Sequence, residues 1–346
     1  MDLGGIWYLL LAAVLATYVC LDGFDLGAAG VLPFVARGPE ERGLVFRCLG
    51  EVWDGNEVWL VAAGGTLVLA FPHAYAVIFS GFYLPLTLVL WLLVFRGLSI
   101  ELRHHLGRNF WEPLLELAFV GASALLAFIL GAALGNVVRG VSLGPDGSFF
   151  NALFTDFSAK APVGILDWYT TLAGLCSLAV LARHGALWLN LKTEGPIQER
   201  AARLAIRLTL PLGVMAVALS VASLEVQPLL SRSLIQRPWG WVFPLLAAVG
   251  LMLSHVALVR KRALGALLAS CLFLAGLLAS AVVGLYPVLL PSLGPGPALD
   301  VANCASGDYA LSTGLCWWLP GMALVCLYFV FLYRRLPGTF RGEHEA

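Results

Sequence analysis

Charge is what this sequence has least of. Asp, Glu, Lys and Arg make up 12% of the 346 residues, about half the ~25% usual in soluble domains. The apolar set reaches 60% and the mean hydropathy is +0.87. A soluble monomer of that composition would expose apolar patches far beyond the roughly 300–600 Å² that such surfaces tolerate. Disorder, a coiled coil and an ordinary soluble enzyme are excluded. No sign of charge prevails: 21 basic residues balance 21 acidic ones, so no nucleic acid partner is implied. The seven cysteines include no C-x-x-C pair. This argues against a disulfide framework or zinc site and leaves most of them as small membrane-buried hydrophobes. The start, Met-Asp-Leu-Gly-Gly, has no basic residue, and the apolar run behind it is longer than the core of a leader; a retained span is expected there.

Long apolar runs are present instead. A bilayer core of ~30 Å needs ~20 apolar residues as helix. Nine stretches meet this: 6–35, 50–71, 75–95, 114–134, 162–181, 204–224, 239–259, 263–286 and 310–332. The runs are continuous and not alternating, which excludes a β-barrel. The expected fold is therefore an all-α integral membrane protein, one transmembrane domain with nine transmembrane helices. Pro72, Pro287 and Pro337 mark turns. Pro196 suits a first helical position and opens a short surface helix running into the sixth stretch. The fifth stretch holds Asp167 and stays apolar towards Leu191. With the N-terminus outside, the inner segments carry seventeen Lys and Arg, among them Arg96, Arg108, Arg183 and Arg341, and the outer ones four: Arg139, Lys160, Arg232 and Arg237. That skew places the C-terminus in the cytoplasm.

An ionisable residue within a span faces the bundle interior and marks a pathway or a partner. The first stretch holds Asp22 and Asp25, three apart and so on one helix face, within a Gly23–Gly27 spacing that permits close helix approach. The second opens with Glu51, Asp54 and Glu57, an acidic ladder at i, i+3 and i+6. At ~1.5 Å per residue, Asp54 lies about 10 Å below the inner surface, Glu57 and Asp25 about 15 Å and Asp22 about 20 Å. The two clusters can meet at one depth as a staircase from the cytoplasm. Crowded carboxylates in low dielectric share protons, which suits a relay. The plainer reading has these acids capping or pairing with neighbouring helices. Arg96 and Glu101, near the end of the third stretch, read as an interfacial helix end; alternatively they orient the mouth of the staircase. Asp167 and Glu225 read as interface caps.

The histidines are informative by their placement. His73, His104, His105, His184 and His344 fall in turns, inner basic segments or the tail. Only His255 lies within a stretch, with no second histidine facing it. No bis-histidine haem site and no copper cluster is expected, and no metal.

The segments Asp22-Gly-Phe-Asp25-Leu-Gly27 and Trp53-Asp54-Gly-Asn-Glu57-Val-Trp-Leu60 carry a resemblance. So do Ala63-Gly-Gly65, Phe71-Pro72, Phe79-Ser-Gly-Phe-Tyr83, Phe95-Arg96 with Ser99 and Glu101, and more weakly Tyr286 to Ser292 and Asp308 to Gly314. Together they resemble subunit II of the cytochrome bd-type quinol oxidases, the cyanide-insensitive variants included. The resemblance implies two four-helix bundles plus one helix, paired pseudo-symmetrically with a subunit I. That partner carries the haems, b and d, and the quinol site. The complex oxidises quinol, reduces dioxygen to water and draws the protons from the cytoplasm. The setting is a bacterial or archaeal cytoplasmic membrane, with lipid, quinone and a small single-helix accessory subunit as further partners. No catalytic residue and no cofactor is expected in this chain. Proton-path roles map onto Asp25 and Asp54; Glu57, Asp22, Glu51 and Glu101 extend that path by depth and spacing. Two other readings compete. A proton-coupled secondary transporter also needs membrane acids, but inverted repeats are usual there and no second matching half is visible. A purely structural subunit would use the acids for packing.

Overall fold

A computed structural model describes residues 2–105, 111–160, 162–335 and 338–340. Arg108, Pro337, Arg341 and His344 lie outside the described residues, as do the side chains of His104 and His105. Helix α1 (Leu3–Val35) starts where Asp2 accepts the Gly5 N–H at 2.8 Å. Helix α2 (Gly38–Gly50) is short and polar, with Glu40 and Glu41 in its first turn and Arg47 in its last, charges that complement the helix dipole. The chain breaks at Glu51–Val52 before α3 (Trp53–Ala70). Pro72 opens α4 (Pro72–Gly81), and a further break at Phe82 separates it from α5 (Tyr83–His105). There follow α6 (Trp111–Arg139), α7 (Trp168–Lys192), α8 (Pro196–Val226) and α9 (Pro228–Gln236). A 3-10 turn at Pro238–Trp241 leads into α10 (Val242–Val259), and a tight turn into α11 (Ala263–Leu285). A small antiparallel pair, β1 (Val288–Leu290) with β2 (Leu299–Asp300), precedes α12 (Val301–Cys304) and the last long helix, α13 (Asp308–Arg335).

Among the described residues, eight helices are long and apolar enough to cross a membrane: α1, α5, α6, α7, α8, α10 with its 3-10 lead, α11 and α13. Helix α3, which covers most of the second expected stretch, is not among them; Asp54, Asn56 and Glu57 sit in its first turns.

The core is centred on the crossing of α1 and α7. A Cβ on Gly27 would lie 1.7 Å from the Leu181 carbonyl oxygen, and one on Gly185 would lie 1.9 Å from Ala28 N. Backbone meets backbone there, as small residues allow in apolar surroundings. Helices α3 and α6 also pack on α1, α8 packs on α7, and α10 pairs with α11. Leu210, Val214, Val217 and Val221 on α8 point outward, as on a helix facing lipid.

Three boundaries differ from expectation with consequences for the site. The third stretch, expected over 75–95, divides at Phe82, so its membrane-length helix is α5 and Arg96 falls within that helix and not at its end. The fifth stretch begins at Trp168, not 162, because Asp167 forms a capping box: its Oδ1 accepts Tyr169 N–H at 2.8 Å and Thr170 N–H at 2.9 Å, and Thr170 Oγ1 accepts Asp167 N–H at 2.9 Å. The helix then runs to Lys192. Arg183 and His184, expected among inner basic residues, are instead buried within it. The break at Glu51 also divides the acidic ladder. Glu51 caps the end of α2, and only Asp54 and Glu57 share α3.

Candidate functional site: a buried arginine among three carboxylates

Arg96 is fully buried on α5. Its Nη1 donates to Asp22 Oδ2 at 3.0 Å and its Nη2 donates to Asp22 Oδ1. This two-pronged pairing is the strong form of an arginine–carboxylate contact. Nη2 also faces Asp25 Oδ2 at 3.8 Å, and Nη1 faces Glu57 Oε2 at 3.9 Å. Asp22 and Asp25 are buried and the Glu57 side chain is 23% exposed. One guanidinium thus stands among three carboxylates from two helices. Asp22 takes its hydrogen bonds; Asp25 and Glu57 lie beyond hydrogen-bond reach. Three ionised acids around one cation in a dry interior are costly.

Asn56, also fully buried, ties α3 to this group. Its Nδ2 donates to Asp25 Oδ2 at 2.8 Å and lies 3.4 Å from the Leu21 carbonyl; its Oδ1 accepts the Tyr333 hydroxyl at 2.9 Å. Among the described residues, Asp25 Oδ1, Glu57 Oε2 and Arg96 Nε are buried without a hydrogen-bond partner.

The staircase read from the sequence is therefore changed in two respects. Asp22, Asp25 and Glu57 do converge, but around Arg96, which is a hub and not an interfacial helix end. Asp54 does not reach Asp25: it is exposed, as are Glu51 and Glu101. Asp54 and Asn56 are two residues apart and so about 200° apart around α3, and the buried face belongs to Asn56. Glu225 is exposed in the last turn of α8. Asn56 and Tyr333 were not among the expected site residues. Asn56 stands between two residues that were, whereas Tyr333 lies 277 positions away and nothing local marks it.

Two further arginines are buried. Arg139 Nη1 donates to Asp167, Nη2 to Asn136 Oδ1 at 2.7 Å and Nε to the Gly140 carbonyl at 3.1 Å. This closed network staples α6 to the start of α7. Arg183 meets hydroxyls only, Thr209 Oγ1 at 3.2 Å and Ser254 Oγ at 3.0 Å. Two histidines of the long helices have polar contacts among the described residues. Both ring nitrogens of His184 are engaged, by Ser270 Oγ and the Cys20 carbonyl at 2.9 Å each, and His255 Nδ1 meets Thr209 Oγ1 at 3.2 Å.

Fold and site together define a multi-pass helical membrane protein with an ionisable cluster buried beside its central helix crossing. Comparison with known proteins narrows the class. The family model for cytochrome bd terminal oxidase subunit II matches residues 3–336, and the chain belongs to that family. It is 29% identical to a probable cytochrome oxidase subunit 2 of Haemophilus influenzae, covering 96% of this chain and 94% of that one. Against the cytochrome bd ubiquinol oxidase subunit 2 of Bacillus subtilis the identity is 29%, over 90% and 88% of the two chains. Against the cytochrome bd-I ubiquinol oxidase subunit 2 of Escherichia coli K12 it is 28%, over 98% and 95%. A chain of the bd oxidase structure from Geobacillus thermodenitrificans shares the fold, with a TM-score of 0.77 at 20% identity, covering 96% of this chain and 98% of that one. The chain is thus a terminal oxidase subunit, which sets aside the secondary transporter.

Proposed function

We propose that this chain is the haem-free subunit of a quinol-oxidising, dioxygen-reducing complex, and that it carries protons from the cytoplasm towards the haems of its partner. The observation that supports this most is the division of labour around Arg96. Asp22 is its fixed counter-ion, and Asp25 and Glu57 are left as acids with one cation between them beyond hydrogen-bond reach, Asp25 holding only the neutral Asn56 amide. In this reading a proton passes from the exposed Asp54, with Glu51 and Glu101 near the mouth, to Glu57 one turn along α3. It then passes to Asp25 on α1. Haems b and d belong to subunit I, which this chain stabilises. Lipid, quinone and a single-helix accessory subunit complete the surroundings. The engaged nitrogens of His184 support the haem-free assignment.

In the same reading α3 is the ninth span, two four-helix bundles flank the α1–α7 crossing, and the N-terminus faces outward in a bacterial or archaeal cytoplasmic membrane. Arg96, Arg183 and Arg139 are buried and do not belong to loops. Setting them aside leaves fifteen inner cations against three outer ones, so the skew behind the orientation persists.

The test is the quinol-oxidase rate per haem, measured beside haem yield, in Asp25→Asn and Glu57→Gln. The expected outcome is normal haem yield with a slowed rate in both variants, more so in Asp25→Asn. A wild-type rate per haem in both overturns the proton path.

A further inference from the structure

The orphan oxygen of Asp25 sharpens this reading, on which the following inference rests. The side-chain amide of Asn56 has two orientations. In the one observed, Nδ2 faces Asp25 Oδ2 at 2.8 Å and the Leu21 carbonyl at 3.4 Å, and Oδ1 accepts from Tyr333. Turned over, Asn56 Oδ1 would face a backbone carbonyl, which can only accept, and the carboxylate as well. Tyr333 would tolerate either orientation, because a phenol hydroxyl donates or accepts. The Leu21 carbonyl does not, and it keeps the donor end of the amide on the Asp25 side whatever the charge of Asp25. Asp25 Oδ2 therefore always receives an N–H, and Arg96 Nη2 stands on the same oxygen at 3.8 Å. A carbonyl oxygen accepts such donors better than the oxygen of a carboxylic O–H. Oδ1 is buried and, among the described residues, has no hydrogen-bond partner.

We infer that Asn56, oriented by the Leu21 carbonyl and held in place by Tyr333, divides the two oxygens of Asp25, fixing Oδ2 as a permanent acceptor and making Oδ1 the oxygen that takes up and releases the proton. On uptake an Oδ1–H bond forms, the bond to the proton donor breaks and its electron pair stays on that donor. The charged and titratable groups facing Asp25 are Arg96 from α5, Glu57 from α3, Asp22 from its own helix and Tyr333 from α13. Asn56 and Tyr333 are positioning residues, since neither transfers the proton. The geometry confines proton exchange to Oδ1, the oxygen that carries neither the Asn56 amide nor the Arg96 contact.

Infrared difference spectroscopy of the whole purified oxidase, between high and low pH in H2O and D2O, tests this. A carboxylic C=O band that disappears in Asp25→Asn reports the protonated acid, with Oδ2 as its carbonyl. In Asn56→Leu that band should move to higher wavenumber, because Oδ2 loses its N–H donor. In Tyr333→Phe it should move the same way by less, or broaden, because the amide is held only by Leu21. Tyr333 is half-buried on the outermost helix, so Tyr333→Phe decides the matter if Asn56→Leu does not assemble. A band that stays at the wild-type position in the assembled variants overturns the oxygen assignment and leaves the proton path standing. A spectrum in which Asp25→Asn removes no band overturns the proton path and this assignment with it.

Discussion

Arg96 and Arg183 are both buried arginines inside helices, yet their surroundings differ in kind. Arg96 stands among three carboxylates, two of them in excess of what it can neutralise. Arg183, on α7, has only the hydroxyls of Thr209 and Ser254, and among the described residues no carboxylate lies within ion-pair distance of it. Arginine stays protonated in proteins, so the first site has negative charge to spare and the second is positive. On the proposed reading, protons are drawn to the former and repelled from the latter, so exchangeable protons belong on the α1 side and not at the α7–α8–α10 contact.

The largest expected effect comes from breaking the one tight pair at the first site. Asp22→Ala leaves the Arg96 guanidinium without its chelating partner. Loss of one member of a buried pair costs about 3–5 kcal/mol. The other two acids sit too far from Arg96 to replace it in place, so the yield of haem-loaded complex should collapse, as counted by haem per membrane protein. Near-normal yield would mean that Asp25 or Glu57 is the real counter-ion.

Asp54→Asn comes next. It removes a titratable group from an exposed position without disturbing packing, so assembly should survive. Turnover should fall, about tenfold for each ~1.4 kcal/mol added to a limiting barrier. Asp54→Glu should recover part of the rate, since it restores a carboxylate at slightly different reach. Equal rates per haem in Asn and Glu variants would show that charge at this position is irrelevant to uptake.

Arg183→Met should do least. The hydroxyls it would abandon keep backbone acceptors, Thr209 on the Ala205 carbonyl at 2.9 Å and Ser254 on the Ala266 carbonyl at 2.8 Å. Replacing a buried charge by an apolar side chain of similar length is neutral or stabilising in such cases. Thermal stability should hold or rise, with an unchanged rate per haem. A sharp loss of turnover would make the two arginines functional equals and end the contrast.

The sequence made some of this legible and concealed the rest for identifiable reasons. Continuous apolar runs revealed the long helices because a bilayer demands length. The Gly23–Gly27 spacing announced a close helix contact, and Gly27 makes it, against Gly185. Equal depth brought Asp25 and Glu57 to one site. Arg96 was misleading because a cation at the end of an apolar run looks the same whether it meets the interface or turns inward; only the approach of α5 to α1 decides. The break at Glu51–Val52 has no proline to mark it, so three acids in step looked like one helix face. Asp167 did read as an interface cap, but the apolar residues before it extended the stretch backwards, and a span ended at 181 left Arg183 and His184 outside the membrane. Tyr333 depends on a contact between opposite ends of the chain.

The claim that Asp25 relays cytoplasmic protons is tested most directly by proton uptake itself. The oxidase is reconstituted in vesicles in one orientation, with a pH-sensitive dye on the side of the α2–α3 junction. Uptake is followed after a pulse of oxygen to the quinol-reduced enzyme, in wild type and in Asp25→Asn of equal haem content. Uptake in Asp25→Asn should be slowed at least about tenfold, which corresponds to ~1.4 kcal/mol on that step. Uptake at the wild-type rate from that side would contradict the account.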